Sequence, residues 1–89
     1  MGNVYVTIKL MPESLDVSLD DIKTQAEEVV AKFGGRMMST KEEPIAFGLK
    51  ALIIQFAISE SQELEPLEEE LQTKEGVNSV SIVEMNRAL

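Results

Sequence analysis

The chain has 89 residues, 44% of them hydrophobic, and a net charge of −8. That length fits one small domain with a modest core, expected to span residues 1–89, and the hydrophobic share excludes a disordered tail. With no Cys and no His there is no disulfide framework, no thiolate chemistry, and neither the commonest general base nor the commonest zinc ligand.

The acidic balance argues against direct nucleic-acid binding, because counterion release from a phosphate backbone needs clustered Lys and Arg. It leaves open a basic protein surface as partner. No apolar run reaches the length of a membrane span, and no basic-then-apolar start signals secretion. Met1-Gly2 begins like a myristoylation site, but position 6 is Val rather than Ser or Thr. A cytoplasmic protein without membrane contact is expected.

Asn3 to Met11 alternates with period two. Val4, Val6, Ile8 and Leu10 share one face, and Tyr5, Thr7, Lys9 and Met11 the other, which predicts a half-buried strand ended by Pro12. Ser18 then opens a helix as N-cap, with Asp20 and Asp21 at the positive end of the helix dipole. Leu19, Ile22, Ala26, Val29, Val30 and Phe33 form a continuous apolar stripe, and Gly34-Gly35 stops the helix. Arg36 to Glu43 alternates poorly and reads as a strand from context, since another strand follows after a short turn. Its adjacent Met37 and Met38 fit either a core or an adaptable contact surface.

Pro44 restricts Glu43 to an extended shape, and Gly48 supplies a bend. Phe47 therefore lies in a bend before the most strand-like segment, Leu49 to Ile58. A Phe so placed reads either as a plug on the end of the core or as an anchor projecting into a partner's pocket. In the strand that follows, Leu52, Ile54, Phe56 and Ile58 make the core-facing set; Ala51, Ile53, Gln55 and Ala57 make the other. Leu64 to Lys74 is a second helix, with Pro66 in its first turn, a stripe of Leu64, Leu67 and Leu71, and a stop at Gly76. Glu68, Glu69 and Glu70 point in different directions around it and read as a solvated side, so no metal site and no cofactor are expected. Val77 to Met85 is the last strand, with Val80 and Ile82 on one face and Ser79, Ser81, Val83 and Met85 on the other. Asn86 to Leu89 would follow as a short tail.

The order strand, helix, strand, strand, helix, strand predicts an α+β, ferredoxin-like βαββαβ sandwich: a four-stranded antiparallel sheet with two helices on one face. The open face, with Tyr5, Thr7, Lys9, Ile53, Gln55 and Ser81, is a candidate binding surface. The fold alone names no function. An RNA-recognition module wants more aromatics on the middle strands and a basic surround. A phosphate-ester hydrolase wants an anion-binding loop where Pro12-Glu13-Ser14-Leu15-Asp16 is acidic. A metal carrier wants the Cys pair this chain lacks. What remains is a protein-binding or regulatory module, not an enzyme.

The run Pro44-Ile45-Ala46-Phe47-Gly48-Leu49-Lys50-Ala51-Leu52 carries a resemblance, together with the closing Val77-Asn78-Ser79-Val80-Ser81-Ile82-Val83-Glu84-Met85-Asn86-Arg87. Both resemble the nucleotide-exchange domain of translation elongation factor 1-beta, in which a Pro-Ile-(small)-Phe-Gly-(aliphatic)-Lys segment precedes the third strand. The opening Val4-Tyr5-Val6-Thr7-Ile8-Lys9 is similar as well, and the minimal length resembles the archaeal form. The resemblance implies guanine nucleotide exchange in translation: release of GDP from elongation factor 1-alpha so that GTP can rebind. It implies that Phe47, with Ile45 and Gly48, enters a pocket on that partner. It also implies that the C-terminal residues Met85, Asn86, Arg87 and Leu89 approach the partner's magnesium and phosphate site. Arg87 stands where the family has Lys, with two residues after it rather than one; a flat guanidinium does not replace an ammonium point charge conservatively. A monomer in the free state is expected. The alternative is a regulatory or oligomerising module that uses the open sheet face without exchange activity.

Overall fold

A computed structural model describes residues 2–87. Its elements are β1 (Asn3–Pro12), α1 (Leu19–Lys32), β2 (Arg36–Pro44), β3 (Lys50–Ser59), α2 (Glu65–Gln72) and β4 (Val77–Arg87). The strands form one antiparallel sheet in the order β2-β3-β1-β4, which is the expected ferredoxin-like arrangement.

The alternation of β1 sets the layers. Val6, Ile8 and Leu10 are fully buried and stand directly opposite Phe56, Ile54 and Leu52 of β3. Paired residues point to the same side, so these six make the floor of the core. Ile22, Ala26, Val29 and Val30 of α1, with Leu67 and Leu71 of α2, cover it. Every residue of that α1 stripe follows helical spacing, and Leu19 and Phe33 close it at the two ends.

Helix boundaries follow the sequence signals. The Ser18 hydroxyl accepts from the Asp21 backbone N–H at 3.4 Å. At the other end Gly34 is left-handed (φ 83°), and the Gly35 N–H donates to the Val30 carbonyl at 2.8 Å, a Schellman stop. The second helix is shorter than the sequence suggests, ending at Gln72, with Pro66 in its first turn. Of its acidic run, Glu70 is not simply solvated. One carboxylate oxygen meets Lys32 Nζ at 2.8 Å and the other faces Lys74 Nζ at 3.9 Å, which ties α2 to the end of α1.

Two strands depart from simple alternation, β2 at one register shift and β4 at two, one of these where Met11 pairs with Ser79 but Pro12 with Val77. In β2, Met37 pairs with Phe56 but Ser39 pairs with Gln55, so Met38 is an extra residue. The bulge accounts for the poor alternation of Arg36 to Glu43. It also gives the two methionines different fates: Met37 packs on the core and Met38 is exposed. In β4, Ile82 pairs with Ile8 and Glu84 with Thr7, leaving Val83 extra. That shift corrects the face expected for Met85. It pairs with Val6 and so lies on the helix side of the sheet, with Val80 and Ile82, not with Ser81 and Val83.

Candidate partner-binding site

The link between β2 and β3 is a hairpin with a three-residue tip, Ala46–Gly48. The Ile45 N–H donates to the Leu49 carbonyl at 2.8 Å, and the Leu49 N–H returns to the Ala46 carbonyl at 3.1 Å. Below the tip, Lys50 Nζ lies 3.7 Å from a Glu42 carboxylate oxygen on the opposite arm. The tip is thus held by backbone bonds rather than by packing, since none of its three residues is buried.

Phe47 occupies the summit in a left-handed conformation (φ 59°, ψ 31°) and is 93% exposed. Both properties are unfavourable for an aromatic in isolation. A left-handed backbone costs a residue with a Cβ about 1–2 kcal/mol, and a fully exposed Phe recovers none of that by burial. Among the described residues it is the only non-glycine residue with positive φ. Gly48 follows at φ 79° and needs no compensation there. The core-plug reading of Phe47 is therefore excluded. The end of the core beneath the hairpin is closed by the β strands and by half-buried Val17 and Leu19.

The hairpin tip stands beside the loop between β1 and α1. A Cβ placed on Gly48 would sit 3.5 Å from Leu15 Cδ2. Leu15 occupies the second position of a turn closed by the Val17 N–H donating to the Ser14 carbonyl at 3.3 Å. The loop is tied down before that turn, where the Glu13 N–H donates to the Gly76 carbonyl at 2.9 Å. Leu15 remains 66% exposed. Sequence periodicity gave no reason to single it out, because it lies outside every strand and helix; an apolar residue within an acidic loop is the signal that was available.

Arg87 is at the opposite end of the sheet. It pairs with Val4, whose other neighbour is Ile58, whereas the hairpin begins where Pro44 pairs with Lys50. The stretch of β3 from Lys50 to Ile58 covers about 26 Å at ~3.3 Å per residue, in a molecule 42 Å along its greatest dimension. Asn86 and Arg87 belong to β4 and not to a free tail, and Leu89 lies outside the described residues. Nor is Arg87 an isolated cation: its Nε is 3.8 Å from a Glu60 carboxylate oxygen. The guanidinium stays largely exposed, so this contact is loose and easily exchanged for another carboxylate. Ile45, Phe47 and Gly48 are thus gathered at one end, and Met85, Asn86 and Arg87 at the other.

The open sheet face offers a shallow concavity of about 470 Å³, lined by Thr7, Lys9, Lys41, Ile53, Gln55 and Glu84 among others. Ile53 is nearly buried, although it faces away from the helices. Lys9 and Lys41 are its direct neighbours on the flanking strands, and long cationic side chains shield apolar surface with their stems.

A family model described as the EF-1 guanine nucleotide exchange domain matches residues 5–88. The chain belongs to this family. Among curated relatives, the elongation factor 1-beta of Methanococcoides burtonii is 40% identical, covering 98% of both chains. That of Methanothermobacter thermautotrophicus is 38% identical over the full length of both. The elongation factor 1-beta of Aeropyrum pernix is 41% identical over 98% of each. Among solved structures, the ACT domain from GTP pyrophosphokinase of Chlorobium tepidum superposes with a TM-score of 0.64 at 17% identity, covering 91% of this chain and 99% of that one. That likeness establishes the ferredoxin-like fold and nothing further. Family membership assigns the chain to guanine nucleotide exchange in translation elongation, and gives the two-ended geometry above a context.

Proposed function

We propose that this chain acts, over residues 1–89 as one exchange domain, on elongation factor 1-alpha, releasing GDP so that GTP can rebind. The observation that carries this reading is the presentation of Phe47. A strained, fully exposed aromatic on a backbone-locked hairpin is poorly explained by stability and well suited to a partner's pocket. Exchange breaks no covalent bond, so it needs no nucleophile or tuned acid, and a chain without Cys and His is no worse equipped for it. A factor that weakens nucleotide binding is itself weakened by nucleotide, through reciprocal linkage. It has only to hold the GTPase where the phosphate and metal contacts are spoiled.

Two contacts far apart on one rigid sheet meet that requirement. Phe47, with Ile45 and Gly48 shaping the tip, fixes the partner at one end. Met85, Asn86, Arg87 and, outside the described residues, Leu89 are the contacts with the magnesium and phosphate site at the other. On this reading Glu60 holds the Arg87 guanidinium until carboxylates of the metal site replace it. The free protein is a cytoplasmic monomer. Among the described residues no helix is long and apolar enough to cross a membrane.

Release of a fluorescent GDP analogue from elongation factor 1-alpha tests the proposal. The wild-type chain is expected to accelerate release and Phe47→Ala to lose most of that effect. Arg87→Ala is expected to slow release more than it weakens binding, with excess magnesium opposing the wild type more than the variant. Arg87→Lys retains activity. No acceleration by the wild-type chain would overturn the exchange reading. An Arg87→Ala protein that matches the wild type throughout a magnesium titration would leave the Phe47 end alone responsible.

A further inference from the structure

We propose that the partner is gripped by a two-residue apolar knob, Phe47 together with Leu15, set in an acidic collar, and that the receiving pocket has a basic rim. This rests on the exchange reading above and adds to it a second contact residue and the chemistry of the surface that receives both.

Five observations converge on it. Leu15 and Phe47 are the two most exposed large apolar side chains among the described residues. They come from different loops but one end of the sheet, where a Cβ added to Gly48 would come within van der Waals contact of Leu15. A 230 Å³ hollow lined by Leu15, Val17, Gly48, Leu49 and Lys50 among others lies between the two loops, with Phe47 next to it in the chain but outside its lining. Both residues are also held by backbone hydrogen bonds, Phe47 by the hairpin closure and Leu15 by its turn and the tie from Glu13 to Gly76. Such preorganisation lowers the entropy lost on binding.

The charge around the knob is the fifth observation. Glu13, Asp16, Asp21 and Glu75 line a cleft of about 590 Å³ on the Leu15 side, and Glu43 stands on the hairpin arm. The nearby cations are few: Lys41, and Lys50, which Glu42 already engages. An apolar centre with a charged margin is the ordinary anatomy of a protein interface, where the margin governs association rate and the centre governs residence. A margin this acidic calls for Lys and Arg opposite it.

The competing account is that Leu15 only props the hairpin. Leu15→Lys separates the two, because the aliphatic stem of a lysine still reaches Gly48 while its ammonium meets the basic rim. Full-length variants are titrated against purified elongation factor 1-alpha, with melting temperatures recorded for each. Leu15→Ala is expected to weaken binding about tenfold, Leu15→Lys more than Leu15→Ala, and Leu15→Met least, with melting temperatures close to wild type for all three. The Glu13→Gln/Asp16→Asn double variant is expected to slow association several-fold at low salt and little at high salt. Wild-type affinity for Leu15→Lys alongside a large loss for Phe47→Ala would leave Leu15 a mere prop and overturn the inference while sparing the exchange reading. Wild-type affinity for Phe47→Ala as well would remove the reading on which it rests. An unchanged association rate for the double variant at low salt would overturn the collar.

Discussion

Phe56 and Phe47 are the same residue type, nine positions apart in the chain, and the protein treats them in opposite ways. Phe56 sits on β3 opposite Val6, completely buried beneath the helices in an ordinary strand conformation. Phe47 sits on the hairpin tip in a left-handed conformation with 93% of its surface exposed. The first residue stabilises the fold and is silent at the surface. The second costs the fold something and is left uncovered by the rest of the chain. The two residues lie on different elements, so that the anchor proposed at the hairpin tip can be changed without emptying the core.

The largest expected effect tests the buried side of this contrast. Phe56→Ala should lower unfolding free energy by about 3–5 kcal/mol, measured by denaturant titration, and partner binding should fail only where the fold does. A loss near zero would mean that β3 turns its other face to the helices.

Next comes Phe47→Ala. Binding to elongation factor 1-alpha should weaken by about 2 kcal/mol or more, while the midpoint of thermal unfolding barely moves. Collapse of stability along with binding would return Phe47 to the core and end the contrast.

The backbone of the tip gives a smaller effect with a telling sign. Gly48→Ala should cost about 1 kcal/mol, because φ is 79° there and the added Cβ meets Leu15 only at ordinary contact distance. Phe47→Gly should do the reverse and leave stability equal or up to about 1 kcal/mol higher, even as binding is lost. Chemical denaturation of both variants checks the pair; a Phe47→Gly protein less stable than Phe47→Ala would show that the left-handed backbone carries no strain.

The smallest effect is expected at the other end of the sheet. Arg87→Ala should change stability by less than about 0.5 kcal/mol, since the ion pair with Glu60 is loose and exposed. A larger loss in thermal unfolding would make that pair a structural clasp, and Arg87 would then be poorly placed to exchange partners.

The sequence by itself determined the element order, the antiparallel ferredoxin-like fold and the membership of the core. Apolar spacing in β1, α1 and β3 is regular, and period two or 3.6 leaves one face to bury. Pro12, Ser18, Gly34 and Gly76 marked boundaries because their backbone or capping chemistry allows little else. It also supplied the Phe-Gly segment on which the family likeness rests.

Tertiary structure alone decided three things. The bulges at Met38 and Val83 are register shifts against a neighbouring strand, so no pattern within one strand can locate them; that is why strict alternation puts Met85 on the wrong face. The core-plug reading of Phe47 depended on whether neighbouring elements cover the hairpin tip, and none does, while its anchoring in a partner is the proposal tested above. The nearness of Leu15 to Gly48, and the 26 Å or so that separates the hairpin from Arg87, arise only when β3 pairs with β1 and carries residues distant in the chain to the same end or to opposite ends of one sheet.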